Sequence, residues 1–274
     1  MRAQRVLIKV GGATLTEQSS LSYVTEAIQQ FRLDGWRVIV VHGGGPAINQ
    51  ELTRHGIQWS FLNGQRVTTP EMMGIIESTL SGQVNSSLVR YFVSHGVHAV
   101  GLAGTDHRTL LCTPQSAELG LVGAIQQVNS LWIEEILRVS SAPVPVIAPI
   151  GIGLDGQAYN INADWAAARL AGALDVDQLI YLTDQNGVLD QDKQVVRTLT
   201  ENQIRSLIDG GVVTGGMMTK MRSVQYALEA GIPKVRVMNG KDASFAAHSD
   251  MFGTVCALAS TLLANSRGES YAAI

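Results

Sequence analysis

The chain has 274 residues, 46% of them hydrophobic and 16% charged, with a formal net charge of −3. That length suits one large domain or two small ones around a sizeable core, and the weak acidity argues against a nucleic-acid partner held by bulk electrostatics. Only Cys112 and Cys256 are present, with neither a C-x-x-C spacing nor a disulfide framework, and the N-terminus has no long apolar run, so a reducing cytoplasm is expected rather than secretion or membrane insertion.

Residues 6–10 are short, β-branched and followed by Gly11 and Gly12, which predicts a buried parallel strand ending in a turn. Helical spacing covers 23–33 and stops near Gly35, and 37–41 reads as a second strand. Gly43, Gly44 and Gly45 turn the chain, Pro46 suits the first position of a helix over 46–55, and Gly56 closes it. Residues 70–80 and 84–94 read as two helices, or as one long element softened at Gly82. A third strand is expected at 97–102, a β-hairpin or excursion within 105–128, a helix at 131–139 and a strand at 144–149. The second half repeats the alternation, with helices at 164–174, 201–209 and 217–230. Its strands are expected at 178–183, 234–238 and 254–257, with a short extended piece at 187–189. Strands alternating with helices predict an α/β fold with a largely parallel central sheet. A lobe boundary near 175–178 would divide an N-terminal lobe, 1–176, from a C-terminal lobe, 177–274. Residues 265–274 are small and polar and are expected to fray.

Several positions carry chemistry that the fold alone does not ask for. Lys9 lies inside an apolar strand, where an unpaired lysine is poorly tolerated. It either reaches solvent at the strand end or faces a ligand at the C-terminal edge of the sheet. Three glycines and a helix N-terminus follow His42, which suits an anion better than a bare turn would. Lys220 follows Gly215 and Gly216 in the first turn of a helix, against the dipole, and that local conflict favours function. Asn162 and Asp164 satisfy the start of the helix that follows them. Beyond that, Asp164 could orient both lysines and Asn160 could bind a carboxylate. Arg66, just after Gly64, offers a fork for a carboxylate; a solvated surface arginine is the plain alternative. Thr183 and Asp184 end a buried strand and suit ribose hydroxyls, a lysine or a simple Asx-turn. Gly151, Gly153 and Gly156 match G-x-G-x-x-G, but 157–161 read as extended, so a hairpin turn is expected rather than a dinucleotide site. Glycine amides beside lysine charges predict phosphoryl transfer without a P-loop.

Residues 6–12, 41–46, 63–69, 160–164, 183–187 and 215–220, in that order, resemble the amino acid kinase family over about residues 5–258. Within it they are most similar to the members that phosphorylate N-acetylglutamate in arginine biosynthesis. The resemblance implies an open αβα sandwich and ATP-dependent phosphorylation of the γ-carboxylate of N-acetyl-L-glutamate. It implies that Lys9 and Lys220 stabilise the transferring phosphoryl group, that Gly43 and Gly44 donate N–H bonds to it, and that Asp164 organises both lysines. Arg66 and Asn160 would hold the substrate α-carboxylate. Gly11, Gly12, Thr183, Asp184, Gly215, Gly216 and Met217 would line the ATP site, and Mg²⁺ would arrive with the nucleotide. The 1–176 lobe would bind acetylglutamate and dimerise; the 177–274 lobe would bind ATP. The same motifs admit kinases of carrier-linked aminoadipate or glutamate, of glutamate or of aspartate, and a silent nucleotide-binding sensor. Arginine-inhibited members carry an extra helix before the first strand, where this sequence has about five residues. The expectation is therefore a homodimer insensitive to arginine. Its interface would use the helices at 70–94, whose apolar content exceeds what one buried face needs.

Overall fold

The computed structural model describes residues 2–260 except His248; the fraying expected at 265–274 lies outside the described residues. The chain opens with β1 (Arg5–Val10), α1 (Gly12–Thr16), α2 (Gln18–Leu33), β2 (Arg37–His42) and α3 (Gly45–Arg54). A small hairpin, β3 (Phe61–Leu62) and β4 (Gln65–Arg66), leads to α4 (Pro70–Glu77), a π-helical stretch (Ser78–Val84) and α5 (Asn85–Ser94). Next come β5 (Ala99–Ala103), β6 (Leu110–Pro114), β7 (Gly123–Val128), α6 (Leu131–Arg138) and β8 (Val144–Ala148). Then follow β9 (Ile150–Ile152), β10 (Ala158–Asn160), α7 (Ala163–Ala173) and β11 (Gln178–Thr183). The described chain ends through β12 (Thr198–Thr200), α8 (Glu201–Asp209), α9 (Gly215–Glu229), β13 (Lys234–Asn239) and β14 (Thr254–Ala257).

Eight strands form one sheet in the order β12-β14-β13-β11-β1-β2-β8-β5. Every neighbouring pair is parallel except β13 with β14. A parallel sheet is covered on both faces, so its central strands are apolar on both sides. In β1, Val6 and Ile8 join one core with Val24, Ile28 and Phe31 of α2. Leu7 joins the opposite core with Leu170 of α7 and Val224 of α9. This alternation produces the αβα layering. Because β1 lies in the middle of the sheet, its C-terminal end is flanked by the ends of β2 and β11. No helix among the described residues is long and apolar enough to cross a membrane.

A second sheet, β10-β9-β6-β7, accounts for the excursion at 105–128. The G-x-G-x-x-G segment is the turn of its β9–β10 hairpin. Gly153 donates to Gln157 O at 2.8 Å, and Gly156 takes a left-handed φ of +85°. No helix follows the glycines directly, so the dinucleotide pattern has no helix N-terminus to offer.

The long element at 70–94 is continuous, and its soft region is the π-helical stretch that contains Gly82. Ser78 Oγ and Thr79 Oγ1 both donate to Ile75 O, at 3.0 and 2.6 Å, and so compete with the backbone ladder there. The apolar surplus expected for a dimer face is largely consumed inside the chain. Met72, Met73, Ile76, Leu80 and Leu88 are all buried. The hairpin β3–β4 and strand β12 carry no clear sequence signal, being two and three residues long, too short for a period to register.

His42 ends β2 fully buried, and its Nε2 lies 3.1 Å from the Asn85 amide nitrogen. Burial lowers its pKa from 6.5 to about 4. Between those values the unfolded chain binds a proton that the folded chain refuses. The stability His42 contributes is therefore complete above about pH 6.5 and lost as pH falls toward 4, by about 3 kcal/mol in all. Urea titrations at pH 7 and pH 4.5 should show this loss in the wild-type chain and a smaller one in His42→Asn.

Candidate active site

Three elements converge on one carboxylate. Lys9 is the penultimate residue of β1, Asp164 lies in the first turn of α7, and Lys220 lies in α9. The start of α7 is fixed by Asn162, whose Oδ1 accepts from the N–H groups of Asp164 and Trp165. α9 begins after Thr214 without a side-chain cap, which leaves its first amides open. Lys9 Nζ lies 2.8 Å from Asp164 Oδ1; Lys220 Nζ lies 3.1 and 3.0 Å from Oδ1 and Oδ2. All three side chains are buried. The Lys220 ammonium also sits 5.1 Å from the centre of the Tyr181 ring, and the Tyr181 hydroxyl donates to Asp164 O.

Burial by itself would push the Asp164 carboxyl up, but the ammonium groups of Lys220 and then Lys9 hold it well below the usual carboxylate range. Burial pulls the Lys220 pKa down, against the pull of Asp164. Two ammoniums against one carboxylate leave a net positive charge in a buried position. Such a centre is incomplete without an anion.

Two cavities meet at this trio and share Lys9, Gly12 and Asp164 in their walls. The larger, about 780 Å³, contains Gly11, Thr183, Asp184, Gly216, Met217 and Lys220. The smaller, about 210 Å³, contains Gly43, Gly44, Arg66 and Asn160. Gly215 is absent from both walls. It starts α9 at φ +53° and packs instead against Gly64 in the β3–β4 turn.

The glycine loop after β2 corrects one expectation. Gly43 N–H donates to Val10 O at 2.8 Å, so it cannot also donate to a phosphoryl group. The reason lies in the ladder between β1 and β2, which continues one residue past the strands. Among the described residues the N–H groups of Gly44 and Gly45 have no backbone acceptor, which leaves them open to an anion at the helix start. Close packing explains the glycines themselves. A Cβ at Gly12 would stand 2.7 Å from Pro46 Cδ, and one at Gly44 would collide with Leu80.

Arg66 is buried. Its Nη2 donates to Asn49 Oδ1 at 2.5 Å, while Nη1 is buried with no partner among the described residues. The guanidinium lies over the rings of Trp59 and Phe61, 5.6 and 4.8 Å from their centres. The surface alternative for Arg66 is thereby excluded, and an unpaired buried donor calls for an acceptor. Asn160 Nδ2 donates to Thr68 Oγ1 at 3.0 Å on the same wall. Sequence reading missed Asn49, Trp59, Phe61 and Tyr181. The two aromatics just ahead of Arg66 were the available signal; Tyr181 looks like any core residue of a buried strand.

The model of the amino acid kinase family matches residues 4–239 of this chain. A protein from Geobacter metallireducens named acetylglutamate kinase is 39% identical over 249 residues, spanning 86% of this chain and 84% of its own. One of the same name from Trichlorobacter lovleyi is 40% identical over 246 residues, with the same coverages. Among solved structures, smu.665 from Streptococcus mutans superposes with a TM-score of 0.81 at 28% identity, covering 92% of this chain and 98% of that one. A Giardia carbamate kinase superposes at 0.69 with 15% identity, covering 94% and 100%, a likeness of fold.

The charge count of the trio sets an order of stabilities. Asp164→Ala should destabilise the chain by about 3–5 kcal/mol, because two buried ammoniums lose their partner. Lys9→Met and Lys220→Met should each cost less, since a balanced ion pair remains. Urea unfolding of the three variants gives the order directly, and a Lys9→Met loss equal to that of Asp164→Ala would contradict it.

Proposed function

The chain belongs to the amino acid kinase family, and within it we propose that it phosphorylates the γ-carboxylate of N-acetyl-L-glutamate from ATP, in arginine biosynthesis. The observation that carries this reading is the Lys9–Asp164–Lys220 trio at the junction of two cavities. A kinase needs one cavity for each substrate and a positive centre between them. The name shared by the relatives, acetylglutamate kinase, supports the acceptor.

The larger cavity would take ATP. Lys220 and the open amides at the start of α9 lie on its wall, with Thr183 and Asp184 at the end of β11. The smaller cavity would take the acceptor, with its α-carboxylate on the unpaired Nη1 of Arg66 and on Asn160. An ionised carboxylate, with a reference pKa of about 4.3, needs no general base. One of its oxygens attacks the γ-phosphorus, the bond to the β–γ bridging oxygen breaks, and ADP leaves with the electron pair. Lys9, Lys220 and the Gly44 N–H would compensate the charge that develops, and Asp164 would keep the two ammoniums apart and aimed.

Mg²⁺ belongs to this reading as an ion carried by the nucleotide. Such an ion is held mainly by the phosphates and by water, with few protein ligands. The wall residues support the two-lobe division, since the smaller cavity draws only on residues 9–164 and the larger draws mainly on residues beyond 177. A cytoplasmic setting is supported by Cys112 and Cys256 being buried free thiols. A homodimer rests on the family resemblance alone.

An ATP-consumption assay across N-acetyl-L-glutamate, glutamate, aspartate and carbamate tests the acceptor, and N-acetyl-L-glutamate should give the highest kcat/KM. Lys9→Ala and Lys220→Ala should each lower kcat by a factor worth about 3–4 kcal/mol, the loss of one transition-state charge contact. Arg66→Lys keeps the charge but not the fork. It should raise the acceptor KM far more than the ATP KM. Near wild-type kcat in both lysine variants would remove phosphoryl transfer from this site.

A further inference from the structure

His42 and Asn85 belong to neither cavity wall, yet they are joined to the glycine loop by a chain of hydrogen bonds. Asn85 is the first residue of α5 and is buried. Its Nδ2 lies 2.9 Å from Val146 O and 3.4 Å from Leu102 O. Only the amide nitrogen, a donor, suits two carbonyl oxygens, so the orientation of the amide is settled by its surroundings. The same nitrogen lies 3.1 Å from His42 Nε2. A donor at that distance requires Nε2 to be bare. In a neutral imidazole the proton then resides on Nδ1, which lies 2.8 Å from Gly43 O.

The Nδ1–H bond therefore grips the carbonyl of the Gly43–Gly44 peptide. That peptide is trans, so its C=O and N–H point in opposite directions. Holding the carbonyl toward the buried imidazole turns the Gly44 N–H outward, to the side where Gly44 lines the smaller cavity. Packing reinforces the arrangement. A Cβ at Gly101 would run into Asn85 Oδ1, so the glycine in β5 leaves the room that this amide occupies.

We infer that His42 and Asn85 are positioning residues for phosphoryl transfer: Asn85 selects the His42 tautomer, and His42 orients the Gly43–Gly44 peptide so that the Gly44 N–H meets the transferring group. The inference rests on the kinase reading above. A satisfied polar pair with a purely structural role is the competing account. It predicts lost stability without a specific loss of transition-state binding.

Two measurements on the full chain decide. In ¹⁵N-histidine NMR spectra at pH 7, His42 should carry its proton on Nδ1 and none on Nε2, and Asn85→Leu should abolish that preference. A proton on Nε2 overturns the inference whatever the enzyme does. The kinetic arm compares His42→Asn, which keeps an amide N–H near the Nδ1 position, with His42→Gln, which reaches toward Asn85 but leaves Gly43 O without its donor. His42→Gln and Asn85→Leu should lower kcat by roughly tenfold to a hundredfold, the scale of a small misplacement of a reacting group. Both KM values should stay within about threefold. Affinity for the ADP–aluminium fluoride–acetylglutamate complex should fall in step with kcat. His42→Asn should keep the larger share of kcat. Equal losses in His42→Asn and His42→Gln, or losses in KM instead of kcat, would sink the positioning role. A wild-type chain that phosphorylates no carboxylate would sink the kinase reading and the catalytic half of this inference with it, while the tautomer still reports on the relay itself.

Discussion

The Asp164 carboxylate, shared between two buried ammoniums, is the constraint on which the rest of the structure depends. One ammonium comes from the central strand and the other from α9, 211 residues apart in a chain of 274. Neither lysine could sit where it does alone, because an unpaired buried charge is expensive. Together they overcompensate the aspartate. The shared carboxylate makes the centre stable enough to fold around, and the surplus positive charge leaves it unsatisfied enough to attract an anion. α7 contributes the carboxylate at the end where its own dipole favours negative charge. The Asn162 cap, the Tyr181 hydroxyl and the aromatic face under Lys220 all act to fix the positions of these three side chains.

The shape of the site follows from the same sheet. The parallel strands β2, β1 and β11 end side by side; helices follow β2 and β1, and a loop leaves β11. That puts the glycine loop after β2 on one side of Lys9 and the end of β11 on the other, so a small and a large cavity share one wall. The small one carries a clamped arginine with a free donor; the large one carries helix amides and strand-end polar groups. No side chain in the trio is poised to remove a proton, since Asp164 is held firmly ionised. The arrangement is suited to an acceptor that arrives already charged, where positioning and charge compensation are all that transfer requires.

Much of this was legible in the sequence wherever local chemistry contradicted local structure. Lys9 in an apolar strand is wrong for the element that holds it and marks the site. Lys220 was expected in a first helical turn, but α9 begins at Gly215, so Lys220 is its sixth residue, in the second turn, and what sets it apart is its burial against Asp164. The apolar strands β1 and β11 declare a two-faced core by composition alone. Other features depend on contacts that no local pattern carries. Gly43 looked equivalent to Gly44, and only the β1–β2 register shows that its N–H is spent on Val10. For Arg66 the sequence left a carboxylate fork and a surface arginine both open, and only its burial beside the rings of Trp59 and Phe61 decides against the surface. The apolar residues of 70–94 were read as surplus for a dimer face, whereas most are buried inside the chain, in an element whose π-helical stretch no local pattern announces.

That last discrepancy bears on the site. In an α-helix, residues five apart are separated by about 140° around the axis, so Leu80 and Asn85 would face different neighbours. In the π-helical stretch the Asn85 N–H reaches Leu80 O, a bond spanning five residues that brings the two side chains to one face. Leu80 then closes against Gly44, and Asn85 reaches His42 on the other side of the same peptide. A regular helix could place one of these contacts but not both. The wider turn, which Gly82 tolerates and the hydroxyls of Ser78 and Thr79 encourage, is thus what lets a single helix hold the glycine loop from the cavity side and from the core side at once.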